Sequence, residues 1–158
     1  MIDLSLLKEQ PFLNDLTDGE LALIATIAKK KAFKLGQTIF KTSDYGESLY
    51  IIRSGEVKVC MAATDGELFN LAILKNEDIF GAMSFIDEKP RSATVIAISD
   101  VETYVIERPD AEKIASDNPR ILYKLMRNII RTVHDVVYAM NARHIEMINY
   151  MWGRKRFT

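Results

Sequence analysis

Apolar positions follow three successive rhythms along the chain. Between Leu16 and Ala28 they recur every three to four residues: Leu21, Ile24 and Ile27–Ala28 fall on one face of a helix. Thr17 stands where an N-cap belongs and Glu20 three residues later, a capping box in which each side chain satisfies the other's backbone N–H. The helix is expected to fade in Lys29-Lys30-Lys31, a solvated end whose charge suits the helix macrodipole. From Ala32 to Ile106 the rhythm shortens to two. Thr38–Phe40, Leu49–Arg53, Val57–Met61, Leu68–Leu74, Ala93–Ile98 and Val101–Ile106 read as short strands. Gly36, Gly46, Ser54-Gly55-Glu56, Asp65-Gly66 and Ser99-Asp100 punctuate them, Asp-Gly being a hairpin signature. About eight strands at this spacing predict a mainly β class with flanking helices: an antiparallel eight-stranded roll, jelly-roll-like.

The helical rhythm then returns. Pro109-Asp110-Ala111 opens a short helix reaching about Ala115, and Asp117-Asn118-Pro119 enters a much longer one, uninterrupted by Pro or Gly until Gly153. A run of about 33 residues spans on the order of 50 Å, more than a small roll can cover. Met126, Ile129, Val133, Val136, Met140, Met147 and Tyr150 follow alternating three- and four-residue steps, with Arg143 interrupting, as in a coiled-coil seam. A second stripe, Leu122, Leu125 and Ile130, is expected to face the roll. Two stripes predict a parallel homodimer through this helix. The expected organisation is 1–118 for the first helix and roll, 119–152 for the dimerisation helix and 153–158 for a tail.

Composition narrows the classes. The chain has 158 residues, 48% of them hydrophobic, which suits one folded domain and excludes disorder. No apolar run approaches the ~20 residues of a membrane span, and Met1-Ile2-Asp3-Leu4-Ser5 lacks the basic start of a signal peptide. The lone Cys60 cannot form an internal disulfide; it reads as a small core residue and suits a reducing, cytoplasmic setting. Net charge is −1, yet from Pro119 onward eight Lys/Arg face two acids. That imbalance reads as a solvated face, and nucleic-acid binding by this chain alone is not expected. His134 and His144 lie ten residues apart on the long helix and make no chelating pair. With no nucleophile–base pair and no triphosphate loop, neither catalytic nor metal-binding residues are assigned, and no cofactor is expected.

The candidate chemistry lies in Phe80–Val95. Gly81 permits a sharp backbone bend, the next residues can form one helical turn with free N–H groups, and Arg91 brings a fork of donors matching phosphate oxygens. Gly81, Ala82, Met83, Ser84 and Arg91 are the ligand-binding residues expected on these grounds. Asp87, Glu88 and Lys89 read as a solvated loop tip.

This stretch resembles the phosphate-binding cassette of cyclic nucleotide-binding domains of the catabolite activator protein family, Phe-Gly-Glu-Leu/Met-Ser/Ala-Leu and then Pro-Arg-Ser/Thr/Ala-Ala-Thr-Val. Gly81, Met83, Ser84, Pro90, Arg91, Ser92, Ala93, Thr94 and Val95 match, and the spaced Gly36…Gly46…Gly55-Glu56-Val57 pattern is also similar. The resemblance implies a regulatory sensor that is no enzyme and whose ligand is a cyclic nucleotide, cAMP- or cGMP-like, or another small phosphate. It implies phosphate contacts from Gly81, Arg91 and Ser92, and it adds Ser92 and Ala93 to the expected ligand-binding residues. Ala82 stands where the family carries the glutamate that accepts from the ribose 2′-hydroxyl, and the base-contacting positions fall at Val136 and Val137, which have no polar groups. Ligand is expected to draw the cassette together, repack Met83, Phe85 and Ile86, and shift the hinge between the short helix near Ala111 and the long one near Pro119. The rival expectations are a ligand-independent dimerisation module and the N-terminal part of a DNA-binding regulator, since only Trp152–Thr158 follow the long helix and leave no room for a helix-turn-helix.

Overall fold

A computed structural model describes residues 2–152; the expected tail, 153–158, lies outside the described residues. Within them the chain forms two compact units, one ending at Leu125 and the other beginning at Met126.

The first unit opens with α1 (Leu4–Lys8), capped by Asp3, whose Oδ1 accepts the Ser5 N–H at 2.9 Å. A 3₁₀ turn at Pro11–Leu13 follows. Then comes α2 (Asp18–Ile27) with the expected capping box complete: the Glu20 N–H donates to Thr17 Oγ1 and the Thr17 N–H to Glu20 Oε2, both at 3.2 Å. Glu20 does more than cap. Lys124 Nζ donates to its two carboxylate oxygens at 2.8 and 3.1 Å and to the Asp15 carbonyl at 3.0 Å, and both side chains are largely withdrawn from water.

Eight strands follow: β1 (Lys29–Phe33), β2 (Thr38–Phe40), β3 (Ser48–Ser54), β4 (Val57–Ala62), β5 (Leu68–Leu74), β6 (Ile79–Phe80), β7 (Thr94–Ala97) and β8 (Val101–Glu107). They form two antiparallel four-stranded sheets, ordered β1-β8-β3-β6 and β2-β7-β4-β5. Alternating side chains from both sheets (Phe33, Tyr50, Ile52, Val57, Phe80, Val95, Ala97, Val101 and Val105) meet in one core. Cys60 is buried, as expected, with its thiol 3.3 Å from Asn70 Oδ1. The expected roll is therefore present, with one correction. Lys29-Lys30-Lys31 are not a fading helix end but the start of β1, in register with Val105, Tyr104 and Thr103 of β8. Ala28 is already extended (ψ 138°), and the ladder with β8 satisfies the backbone while the lysine side chains stay exposed. Cross-strand pairing overrides the residues' weak strand preference.

After β8 come α4 (Arg108–Asp117) and α5 (Pro119–Trp152), 34 residues long. α5 begins at Pro119, and the first unit keeps its opening turns, with Ile121 and Leu125 buried. The second unit is the remainder of α5. Ile130, expected to face the roll, is 63% exposed, whereas Ile129, expected in the seam, is buried. A helix repeats every 3.6 residues, so Ile121, Leu125 and Ile129 share a face and Ile130 lies off it. Of the other expected seam positions, Val136, Met140, Met147 and Tyr150 are exposed. No helix among the described residues is long and apolar enough to cross a membrane.

Candidate functional site

Gly81 follows β6 directly and turns the chain with φ +78° into α3 (Ala82–Asp87). The turn is possible only without a side chain. A Cβ on Gly81 would meet the Ser48 carbonyl at 2.6 Å and Arg91 Nη1 at 2.9 Å, in a left-handed conformation already costly for L residues. Pairing of Tyr50 with Phe80 and of Ile51 with Ile79 sets β3 beside β6 and so brings Ser48 and Tyr50 to the same place.

Arg91 arrives from the other sheet, three residues before β7. Its backbone N–H donates to the Asp44 carbonyl at 2.8 Å, and its carbonyl accepts from the Ser43 N–H at 2.7 Å, which fixes the loop. The side chain turns inward and is only 4% exposed. Nη1 donates to the Gly81 carbonyl at 2.8 Å and Nη2 to the Ser48 carbonyl at 3.0 Å. The guanidinium stacks over Phe40, 4.2 Å from the ring centroid. Nε has no hydrogen-bond partner among the described residues. Gly46 flanks it closely enough that a Cβ there would lie 3.1 Å from both Nε and Nη2.

Burial pulls the Arg91 pKa below its ordinary value, while Tyr50, Glu107 and Asp44 oppose that pull. Burial likewise raises the Tyr50 phenol, against a lowering hydrogen bond from Ser48. Glu107 is engaged too: Ser48 Oγ lies 2.9 and 2.8 Å from its two carboxylate oxygens. The arrangement is a buried cation with an unused donor, beside a short helix whose first N–H groups have no acceptor inside the helix. Such a cradle can neutralise and orient a small anion.

Among the expected residues, Gly81, Ala82, Ser84 and Arg91 gather here, with Ser84 buried. Ser92, exposed, and Ala93, half-buried, follow Arg91 in its loop. Met83 stands 50% exposed, whereas Phe85 is fully buried and Ile86 half-buried. Val136 and Val137 belong to the second unit and are about half exposed. Phe40, Gly46, Ser48 and Tyr50 were not foreseen. They come from three other segments, and only Gly46 carried a signal, that of a turn.

Comparison with known proteins gives the family and the fold. The chain is 28% identical over 140 residues to the cyclic AMP receptor protein of Thermus thermophilus, covering 89% of this chain and 65% of that protein. It is 33% identical over 115 residues to a CRP-like cAMP-activated global transcriptional regulator of Mycobacterium tuberculosis, covering 71% of this chain and 51% of the relative. The chain thus spans about half to two thirds of these curated relatives. A cyclic nucleotide-binding domain from Methylobacillus flagellatus has the same fold, with a TM-score of 0.80 at 20% identity over 91% of this chain and 81% of that one. Residues 30–118, which contain the whole of the Arg91 cradle and both sheets but for Lys29, match the family model for the cyclic nucleotide-binding domain, and the chain belongs to that family.

Proposed function

We propose that this chain is a regulatory sensor that binds a cyclic nucleotide at the Arg91 cradle and signals through a homodimer of α5. The observation that carries the reading is the Arg91 side chain: buried, directed inward, and with Nε unpartnered among the described residues. A buried donor left unsatisfied is costly, and a cyclic phosphate oxygen satisfies it. Nη1 and Nη2 hold the Gly81 and Ser48 carbonyls, so the guanidinium stays aligned while anion enters beside the first turn of α3.

Ala82 has no carboxylate for a ribose hydroxyl, so affinity rests on the phosphate end of the ligand. A hydrogen bond to a charged group is worth about 1.5–3 kcal/mol, one to two factors of ten in affinity. Phe85 and Ile86 repack as the cassette tightens, and the α4–α5 junction responds. For ligand to shift that junction, it must prefer one of its two states. The exposed Val136, Met140, Met147 and Tyr150 support pairing of α5 with a second copy. The module needs no metal or cofactor for this task and catalyses nothing; a single buried thiol, Cys60, suits the cytoplasm. A second reading, a ligand-independent dimerisation module, draws its support from Ala82 and from the apolar Val136 and Val137.

Titration calorimetry with cAMP, cGMP and cyclic dinucleotides tests the reading. One of them is expected to bind the wild-type chain, and Arg91→Lys, which keeps the charge and loses the fork, is expected to weaken it at least about tenfold. No heat from any of the ligands, or equal affinity in the wild type, Arg91→Lys and Arg91→Ala, leaves the dimerisation module as the function.

A further inference from the structure

α3 is six residues long and cannot hold itself: its last carbonyls, like those of any helix, have no partners within it. Glu88, in the left-handed region at φ 59°, closes one of them by donating its N–H to the Ser84 carbonyl at 3.1 Å. Two more are taken by a residue from elsewhere in the chain. Arg108 Nη1 donates to the Ile86 carbonyl at 2.7 Å and to the Phe85 carbonyl at 3.1 Å. The same guanidinium donates through Nε to Glu112 Oε1, one turn along α4, at 2.8 Å, and Glu88 Oε1 lies 3.5 Å away. Its backbone N–H donates to the Glu47 carbonyl at 3.3 Å.

The neighbouring residue completes the pattern. Glu107 accepts from Ser48 Oγ, and the carbonyl of that same Ser48 holds Arg91 Nη2. The junction of β8 and α4, two consecutive residues, is thus bonded to both ends of the cassette: Glu107 through Ser48 to the guanidinium that holds Gly81, and Arg108 directly to the carbonyls that end α3. The guanidinium serves both carbonyls through Nη1 and Glu112 through Nε in one fixed plane; a lysine ammonium is a point charge without that geometry.

We infer that Arg108 is the positioning residue that couples the cassette helix to α4, so that movement of α3 is delivered to the start of α4 through its guanidinium. What drives the movement rests on the cyclic-nucleotide reading above; the tie itself does not. Amide hydrogen exchange on the full chain, wild type against Arg108→Gln and Arg108→Lys, separates the two.

In ligand-free protein, Arg108→Gln is expected to speed exchange in Phe85–Lys89 and in α4 together, roughly five- to thirtyfold. The β3 and β8 amides should stay close to wild type. Arg108→Lys, which can still cap one carbonyl, should fall between the two at α3 and restore α4 least. Faster exchange at α3 without α4, no change at either, or one uniform increase across the sheets in both variants would overturn the inference. With saturating cAMP, protection in the wild type should reach α3 and α4, and in Arg108→Gln it should stop at α3; protection still reaching α4 in that variant also overturns it. A wild-type chain that shows no change with cAMP or cGMP counts against the ligand, while the ligand-free comparison still decides the tie.

Discussion

The two ends of α3 are each held by an arginine, and the two arginines are used in opposite ways. At the start, Arg91 is buried, stacked on Phe40 and bonded only to neutral carbonyls, with Nε left over. At the finish, Arg108 is nearer the surface, bonded to two carbonyls and paired with the carboxylates of Glu112 and Glu88. Glu112 raises the Arg108 pKa most, whereas burial lowers that of Arg91. A cation whose charge is answered by neighbouring carboxylates holds structure in place. One whose charge is buried and only partly answered is still open to an anion. Lys124, enclosed by Glu20 and the Asp15 carbonyl, is of the first kind.

The contrast is broken most severely at Gly81. Gly81→Ala places a Cβ 2.6 Å from the Ser48 carbonyl at a positive φ, and should destabilise the fold by roughly 3 kcal/mol or more in denaturant unfolding. An unchanged midpoint would mean that the Arg91 end of α3 is slack rather than tightly built. Next comes the answered cation. Lys124→Met leaves Glu20 charged and largely enclosed, with a loss of roughly 2–3 kcal/mol.

The same pair sets an acid dependence. Burial alone would raise the Glu20 pKa, but the hydrogen bonds from Lys124 and Thr17 outweigh it and hold the group below its ordinary value. A carboxyl depressed in the folded state stabilises above its unfolded pKa, so this contribution is complete at neutral pH. It is lost as the pH falls below about 4.3 and on through the folded value. Urea unfolding across that range should show the wild type losing stability more steeply with acid than Lys124→Met; parallel curves would remove Glu20 from the account. The smallest change sharpens the contrast at the ligand end. Ala82→Glu supplies the family's ribose acceptor and should tighten cAMP about tenfold while leaving 2′-deoxy-cAMP unaffected, as read by competition titration. Equal gains for both ligands would show that the new carboxylate acts elsewhere.

The parts of this molecule legible in the sequence are those written in short-range chemistry. Thr17 and Glu20 announce the start of α2 because both halves of the capping box lie within four residues, and Gly66 marks the β4–β5 hairpin for the same reason. The cassette was legible because Gly81 and Arg91 are ten residues apart in a recognisable string. What surrounds them was not. Ser48 reaches Gly81 only through the β3–β6 pairing, and Phe40 reaches Arg91 from the end of β2, so neither carries a local mark. Glu20 was read as a cap and not as the partner of a lysine more than a hundred residues away. Arg108 looks like an ordinary residue ahead of Pro109; its role depends on where α3 ends in space. Lys29–Lys31 were misread because their strand character comes wholly from β8.

Those three lysines carry a further consequence. β1 lies at the border of its sheet, with one side of its backbone facing no other strand of that sheet. Bare borders invite a second polypeptide to add itself, the first step toward aggregation. Three consecutive ammonium groups make that approach unfavourable, because an intruding copy would bring the same charges against them. Pairing of two copies along this margin is therefore disfavoured.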